Sequence, residues 1–309
     1  MRVVGVTEFG GPERLGVHEV RDPHAGPGEV RIRVAAAAVN PTDAGVRGGM
    51  RDAGDAPPPW VAGMDAAGVV DEVGEGAPYE VGDRLMAIAL PLSEHGGADV
   101  ELLVGPWESM ARVPAGASLE EASTLPMNGL TAVQLLRLLA LPEGAVLAVT
   151  GAAGWLGNLL VPLAKRDGLI VVADAKAEDR ALVTGLGADL VLERGSGFAD
   201  RVRAAYPDGV DGLADLSVQQ AEVLPAVRDG GRFASVRGWQ GEPGRDVEFV
   251  AARVFSEYRS HDDLDRLGRL AEQGVLVPRV AEVLPAERAA DAHRRMEAGG
   301  VRGRLVLAF

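Results

Sequence analysis

Three glycines with GxxGxxG spacing, Gly151, Gly154 and Gly157, separate the apolar run 145–149 from the apolar segment 159–165. They lie where a buried strand is expected to turn sharply into a helix. Such a turn lets backbone N–H groups approach a diphosphate, and the helix that follows directs its positive N-terminus at the anion. The spacing in this context predicts a dinucleotide-binding turn, with the Trp155 side chain pointing outward. A glycine-rich turn without a ligand is the alternative.

The end of the next predicted strand carries a carboxylate followed by cations. Asp174 ends the run LIVVAD, and Lys176 and Arg180 follow it, while Arg194 ends the strand after that. A carboxylate at this place accepts hydrogen bonds from the ribose hydroxyls of NAD, whereas the cations favour the 2′-phosphate of NADP. The residues therefore leave NADPH and NADH both open. Asp174 can also be a cap for the helix that follows it.

The elements that position these residues alternate regularly from residue 145 onward. Continuous apolar strands at 145–151, 169–174, 188–193, 209–216 and 231–238 are separated by predicted helices at 156–167, 178–186, 198–205 and 218–228. This alternation predicts a parallel sheet with helices on both faces. The first third has short strand-like runs with Gly-rich turns, which predicts a β-rich domain. Ser118 and Glu121 have the spacing of a capping box at a helix start.

Composition excludes several functional classes. The 309 residues include no cysteine, so disulfides, thiolate metal sites and cysteine nucleophiles are absent. The formal net charge of −14 argues against nucleic acid or an anionic membrane as the main partner. The first residues, MRVVGVTEFG, lack the features of a signal peptide, so we expect a cytoplasmic protein with a small-molecule substrate.

Several segments in order along the chain resemble the medium-chain dehydrogenase/reductase superfamily, and specifically its zinc-independent quinone oxidoreductase type. The similar segments are AAAAVNPTDAGVRGG (35–49), WVAGMDAAGVVDEVGEG (60–76), YEVGDRLMA (79–87), GGADVELLV (96–104), LEEASTLPMNGLTA (119–132), TGAAGWLGNLLVPLAK (150–165), GLGADLVLE (185–193) and GGVRGRLVLAF (299–309).

The resemblance implies an α/β protein with two domains. A GroES-like β-rich catalytic domain is expected over 1–125 and 259–309, and a Rossmann doubly wound parallel-sheet domain over 126–258. The implied reaction transfers a hydride from NADPH, with NADH as the alternative donor, to a quinone or an α,β-unsaturated carbonyl. The resemblance also implies a homodimer. Zinc-dependent relatives carry a Cys near position 40 and a GHE motif, and here those places hold Asn40 and Gly63-Met64-Asp65, so no zinc is expected.

The resemblance further implies roles for individual positions. Asn40 and Thr42 would line the nicotinamide end of a cleft between the domains. Backbone N–H groups of Gly154, Trp155 and Leu156 would bind the diphosphate. The residues implied to contact the nicotinamide half of the cofactor are Asn128, Thr131, Val236, Arg237 and Gly238, with Trp239 in the same loop. Relatives often place a Tyr, a candidate proton donor, where this chain has Gly45.

Most of the other candidate residues have a structural interpretation beside the functional one. Asn40 can polarise a carbonyl or hold a turn; Asp43 is expected to be a cap and Asp65 a buried scaffold residue with a raised pKa. His95 is the one histidine considered as a proton donor, and an exposed loop residue is the alternative. Trp60 and Trp239 can form apolar walls or plain core. The run 293–295 is interpreted as a solvated helix face.

A nucleotide-binding protein without net redox turnover is the functional alternative. A redox sensor or a cyclase that holds its cofactor as a scaffold would have the same dinucleotide turn. The glycine at position 45 favours this alternative, because it removes a candidate proton donor.

Overall fold

A computed structural model describes residues 1–50, 57–241 and 244–309. The segment 47–60, which carries no readable sequence motif, lies partly outside these ranges. The chain divides into two compact units, one formed by Met1–Met127 with Glu257–Phe309 and the other by Asn128–Ser256. In the described ranges, no helix is both long enough and apolar enough to cross a membrane.

The first part of the chain is mainly β-structure. Its elements are β1 Arg2–Val6, β2 Gly16–Glu19, β3 Glu29–Ala38, α1 Pro41–Arg47, β4 Trp60–Val61, β5 Asp65–Val73, β6 Arg84–Ile88, β7 Leu102–Pro106, β8 Met110–Arg112, α2 Leu119–Ala122 and α3 Pro126–Leu139. The capping box predicted at Ser118 and Glu121 is confirmed at the start of α2, where Glu121 N donates to Ser118 Oγ at 3.1 Å.

The second unit contains the strand–helix alternation. Its elements are β9 Val146–Thr150, α4 Trp155–Arg166, β10 Ile170–Ala175, α5 Arg180–Gly185, β11 Leu190–Glu193, α6 Phe198–Ala205, β12 Val210–Asp215, β13 Val227–Ser235 and β14 Glu248–Ala251. These strands form one parallel sheet in the order β11-β10-β9-β12-β13-β14. The order reverses between β9 and β12, which is where doubly wound sheets bind ligands.

The chain then returns to the first unit with α7 His261–Glu272, β15 Val280–Pro285, α8 Ala289–Ala298 and β16 Arg304–Ala308. The larger sheet of this unit has the order β15-β16-β3-β5-β6-β8, and β7 pairs with β3. Its core is built from alternate residues such as Val30, Ile32 and Val34 of β3, as the period of a half-buried strand requires.

The prediction of a helix at 218–228 is wrong. The segment forms two short 3₁₀ turns, Gln220–Glu222 and Leu224–Ala226, before β13 begins at Val227. Val218 and Gln220 have φ of 59° and 54°, which no right-handed helix accommodates. The Asp215 carboxylate accepts the N–H groups of Gln219 and Gln220 at 3.1 and 2.7 Å, so a side chain binds the donors that a helix would use.

Candidate active site

The glycine-rich turn joins β9 to α4, and its three glycines meet different steric demands. Gly151 has φ of +70° and lies against Ser217, whose Cβ would be 3.2 Å from an added Cβ. At Gly157 an added Cβ would lie 2.5 Å from the backbone of Ala152, so this glycine permits close packing of helix on turn. At Gly154 an added Cβ would meet only the Gly151 carbonyl oxygen within 4 Å, at 3.1 Å. Gly154 therefore has fewer close neighbours than the other two glycines, although this one contact is tight.

Two side chains hold this turn in place. Asp174 Oδ1 accepts a hydrogen bond from Ala152 N at 3.1 Å. The Asn158 amide donates from Nδ2 to Ala152 O at 3.2 Å and to Gly154 O at 2.8 Å. Sequence reasoning missed Asn158, although its place one turn into α4 is the signal that could have found it, since a buried amide there faces the turn's carbonyl groups.

The first turn of α4 fits an anion. Its first intrahelical bond runs from Asn158 N to Gly154 O, so the N–H groups of Trp155, Leu156 and Gly157 belong to the helix N-terminus. N–H groups at a helix N-terminus are of the kind that bind a diphosphate. Trp155 is only 3% exposed, so its side chain packs inside the protein and does not point into solvent. An indole gains more free energy from apolar packing than from solvent exposure.

Asp174 faces the turn. The cap alternative is wrong, because the N-caps of the two helical segments after β10 are Lys176 and Asp179, and the Asp174 carboxylate is bonded to Ala152 N. Its Oδ2 is buried and lies 3.8 Å from Arg194 Nη1. Burial raises the pKa of Asp174, while the Ala152 N–H and Arg194 oppose the shift. Lys176 is exposed, and the Arg194 side chain is 38% exposed, so both cations reach solvent beside a buried carboxylate.

A second carboxylate organises the loop after β12, next to the glycine-rich turn. Asp215 is fully buried and accepts the Thr150 hydroxyl at 2.7 Å besides the two backbone donors described above. Thr150 ends β9, so the bond joins the carboxyl ends of the two strands where the sheet order reverses. Sequence reasoning did not single out Asp215 or Thr150, because their pairing depends on the order of strands in the sheet.

The other predicted cofactor residues of the second unit lie on α3 and after β13. Asn128 and Thr131 are 4% and 8% exposed and are three residues apart on α3, hence on one face. The turn Val236–Gly238 begins where Ser235 Oγ accepts Arg237 N at 3.2 Å. Trp239 packs edge-on against Phe233 and Phe249, with ring centroids 5.2 and 5.6 Å apart, which places it in the core of this unit.

In the first unit, Asn40 and Asp65 form a fully buried pair. Asn40 Nδ2 donates to Asp65 Oδ2 at 2.7 Å and to Ala38 O at 3.0 Å, so both amide hydrogens are bonded. Asp43 Oδ2 accepts Asn40 N at 2.7 Å, which makes Asp43 the turn residue that the sequence predicted. The Thr42 hydroxyl is half-buried and lies 3.3 Å from Asp43 Oδ1. Direct contact of Asn40 with a carbonyl stays a prediction.

Three buried carboxyl groups and one guanidinium lie close together here. Burial raises the pKa of Asp65 to about 7, opposed by the bonds from Met127 N and Asn40 and by Arg304. Burial also raises the pKa of Asp43, and it raises that of Asp99 well above its usual range, with Asp43 and Asp65 adding to the shift. Arg304 is partly exposed, but its Nε is buried, and burial lowers its pKa to about 10. The predicted scaffold role of Asp65 agrees with these bonds.

Comparisons with known proteins identify the family of this chain. An alcohol dehydrogenase GroES-like domain model matches residues 26–128, and a zinc-binding dehydrogenase model matches residues 186–307. The chloroplastic NADPH-dependent alkenal/one oxidoreductase of Arabidopsis thaliana is 30% identical over 288 residues, which cover 90% of this chain and 72% of that protein. The chain belongs to the medium-chain dehydrogenase/reductase superfamily.

Two further members illustrate the range within the superfamily. The quinone oxidoreductase of Sus scrofa is 25% identical over 99% of this chain and 97% of its own. A solved NAD-dependent alcohol dehydrogenase has a TM-score of 0.87 and 30% identity, with full coverage of both chains. The predicted combination of a GroES-like domain with a Rossmann domain is thereby confirmed, and so is the assignment to an oxidoreductase family.

The residues at the positions where zinc-dependent relatives carry their ligands do not fit that metal. Asn40 and Asp65 are bonded to each other, and the second Asp65 oxygen accepts Met127 N at 2.6 Å. Met64, between them, offers only a thioether. Among the described residues, no group of three or more His, Asp and Glu side chains could hold a metal ion.

The remaining candidate residues have structural partners. His95 Nε2 lies 3.1 Å from Glu29 Oε1 at a cavity of about 160 Å³ within the first unit, and the side chain is 25% exposed. Trp60 stacks on Phe9 at a centroid distance of 4.2 Å. The interpretation of 293–295 as a solvated face is wrong for His293, which is fully buried and accepts Arg47 Nη1 on Nδ1 at 3.0 Å.

Proposed function

We propose that this protein is a zinc-independent reductase that transfers a hydride from NADPH to a quinone or to an α,β-unsaturated carbonyl. The observation that carries the proposal is the turn from β9 into α4, where a glycine-rich segment leads directly into the N-terminus of a helix at the point where the sheet order reverses. The names of the Arabidopsis and Sus scrofa relatives support both acceptor classes.

A bound dihydronicotinamide supplies the hydride in such a reaction. The chain's own contribution is to bind, to orient and to exclude water. We assign Asn40 and Thr42 to the nicotinamide end, Asn128 and Thr131 to the ribose or carboxamide, and Val236–Gly238 to the loop over the ring. The burial of Asn128 and Thr131 supports a dry environment for polar contacts. A quinone or enone suits a site of this kind, because its reduced oxygen needs hydrogen bonds more than a metal.

Arg194 and Lys176 favour NADPH as the cofactor. Asp174, the residue that would select NAD, has one oxygen on Ala152 N and the other buried 3.8 Å from Arg194, so the protein already uses part of its capacity to accept ribose hydroxyls. The exposed cations beside it can pair with a 2′-phosphate. The solved NAD-dependent relative shows that the fold alone does not decide this preference.

Calorimetry with both cofactors tests the cofactor assignment. We expect the wild type to bind NADPH at least about tenfold more tightly than NADH, which is about 1.4 kcal/mol. Arg194→Ala and Lys176→Ala should each reduce that preference and leave NADH affinity unchanged. Arg166→Ala, in the last turn of α4, is the matched control for loss of a positive charge. Tighter binding of NADH by the wild type would contradict the assignment.

Turnover assays test the reaction itself. We expect NADPH oxidation with members of a quinone panel or an enone panel and none with simple ketones, since no Lewis acid is proposed to polarise them. Tight NADPH binding without oxidation by either panel would favour the alternative, a nucleotide-binding protein without net turnover. Gly45 supports that alternative, because the position carries no proton donor. The side chain nearest to it is Met50, whose Sδ would lie 3.2 Å from an added Cβ and cannot donate a proton.

We also propose a homodimer without a nucleic-acid or membrane partner, located in the cytoplasm. The strand order of the second unit, among the described strands, ends at β14, whose outer edge is a place where a second copy can pair. Sedimentation should give twice the 32.1 kDa of one chain. A monomer at micromolar concentration would contradict this.

A further inference from the structure

The Asp65 carboxylate binds two separate segments of the first unit. Its Oδ2 accepts Asn40 Nδ2 at 2.7 Å, and its Oδ1 accepts Met127 N at 2.6 Å in the first turn of α3. Asp65 and Asn40 are both fully buried, and Met127 is 6% exposed. One side chain thus fixes the Asn40 amide relative to the start of α3, and both bonds have the short length typical of a charged acceptor.

Both of these bonds favour the ionised carboxylate. The donors are N–H groups, and neither can accept a proton from a carboxylic acid. Protonation of either oxygen would therefore place a hydrogen against an N–H group and weaken one of the two bonds. Asn40 Nδ2 also donates to Ala38 O, and the Asn40 side chain accepts the backbone N–H of Asp43 in a capping box, so the amide would then lose one of the bonds that orient it.

Titratable groups from three other segments face Asp65. Arg304 of β16 attracts the carboxylate, and Asp43 of α1 repels it. Asp99 lies in the segment before β7, where its Oδ1 would be 2.5 Å from a Cβ added to Gly63, and neither of its oxygens has a hydrogen-bond partner among the described residues. A fully buried carboxyl without a partner is far more stable when protonated, so Asp99 adds no charge.

We propose that Asp65 is a positioning residue which, kept ionised by Arg304, holds the Asn40 amide in the orientation needed for hydride transfer. The inference rests on the proposed function for its catalytic consequence, but the hydrogen bond it invokes is a property of the protein alone. Burial raises the pKa of Asp65 to about 7, so the ionised and protonated forms exchange near neutral pH. One pH unit below that value only about a tenth of Asp65 is ionised.

The nuclear magnetic resonance signal of the Asn40 side-chain amide tests the hydrogen bond without any substrate. With ¹⁵N-labelled asparagine, this signal is identified by its loss in Asn40→Asp. We expect it to shift with a midpoint near pH 7 and to move toward hydrogen-bonded values as pH rises. Arg304→Gln should raise the midpoint, and Arg304→Lys should restore it. An Asn40 side-chain amide signal whose chemical shift does not change with pH would overturn the proposal.

The pH dependence of turnover tests the catalytic consequence. We expect kcat to fall about tenfold per pH unit below the Asp65 midpoint, with KM for NADPH unchanged. Asp65→Asn should have a low kcat without this acid limb. Asp71→Asn is the matched control, because Asp71 lies on the same strand, is paired with Arg31 and should leave both kcat and the Asn40 signal unchanged.

These readouts separate the two proposals. Absence of turnover with every acceptor defeats the proposed function, while the amide titration of the wild type still tests Asp65. An unchanged pH profile in Asp65→Asn would overturn the positioning role even if the reductase activity is established. If Asp65→Asn does not fold, the wild-type titration and the Arg304 variants decide whether the positioning role holds.

Discussion

The glycines of the β9–α4 turn show how different physical demands can share one residue type. Gly157 is required by helix packing and Gly151 by backbone conformation, whereas at Gly154 an added Cβ would meet a single backbone oxygen, at 3.1 Å. The sequence motif alone does not distinguish these roles. Of the three glycines, Gly154 has the fewest protein atoms close to an added methyl group, so it is the position expected to report most directly on a ligand.

Alanine substitutions should separate these roles. Gly157→Ala should lower the free energy of unfolding by about 1–3 kcal/mol, because its Cβ would lie 2.5 Å from backbone atoms of Ala152. Gly154→Ala should cost less stability than Gly157→Ala, because its Cβ would meet one backbone oxygen at 3.1 Å, and it should weaken NADPH binding at least about tenfold. Urea unfolding and calorimetry measure the two quantities.

Gly185→Ala is the control for these variants. Gly185 ends α5, and an added Cβ there would have no heavy atom within 4 Å. Neither stability nor cofactor binding should fall. Equal NADPH affinity in Gly154→Ala and the wild type would show that the diphosphate does not approach this residue.

Single residues were also where sequence reasoning was weakest. The position of Asp174 at the end of β10 was predictable, but its direction was not, because the competing donor is a backbone N–H of a different element. Trp155 was expected outside and lies inside. In both cases the orientation of the side chain is set by residues of another element, and the spacing of neighbouring residues in the sequence does not predict such contacts.

At the scale of elements, a buried polar contact joins α1 to α8. Arg47 of α1 donates to His293 Nδ1 at 3.0 Å, to Glu297 at 2.6 Å and to Gly10 O at 3.0 Å. Burial, and then the Arg47 charge, lower the pKa of His293 to about 3. His293 is therefore a neutral acceptor, and α1, which carries Thr42 and Asp43, depends on α8 for its position.

Removing this acceptor should destabilise the protein. His293→Ala should cost about 2–4 kcal/mol of unfolding free energy at pH 7, because it leaves a cavity and a buried Arg47 donor without its partner. His293→Gln, which keeps an acceptor, should cost less. Arg294→Ala on the exposed face of α8 is the control and should be neutral. Equal losses in the Ala and Gln variants would show that volume alone matters.

The order of elements in the second unit was largely predictable, and the exception is instructive. Apolar strands and amphipathic helices from 145 to 205 lie within about two residues of their predicted bounds. The prediction of a helix at 218–228 is wrong, because the Asp215 carboxylate accepts the N–H groups of Gln219 and Gln220 and Pro225 has no N–H to donate. Periodicity predicts an element only where no side chain competes for its backbone.

For the whole molecule, buried carboxyl groups make stability depend on pH in an unusual direction. The folded pKa of Asp65 is about 7 against 3.8 unfolded, so the folded state binds the additional proton between these values. Unfolding free energy should then fall by up to about 1.4 kcal/mol per pH unit and per proton as pH rises through this window. Asp43 and Asp99 shift in the same direction.

His293 opposes this trend, since its lowered pKa favours the folded state as pH rises from about 3 to 6.5. Three raised carboxyl groups outweigh one histidine, and the net charge of −14 adds self-repulsion at neutral pH. We expect the protein to be more stable at pH 5 than at pH 7.5 in urea unfolding. Asp65→Asn should reduce the difference. Greater stability at pH 7.5 would contradict the assignment of protonated buried acids.

The pairing of β16 with β3 constrains how the chain is made. Ala38 lies opposite Val306, and the whole second unit is encoded between them. During translation the second unit is synthesised completely before β16, the strand that pairs with β3. Until then the first unit lacks both this strand and the Arg304 charge beside Asp65. One edge of β3 is therefore unpaired in the nascent first unit, and we expect chaperones to bind there during synthesis.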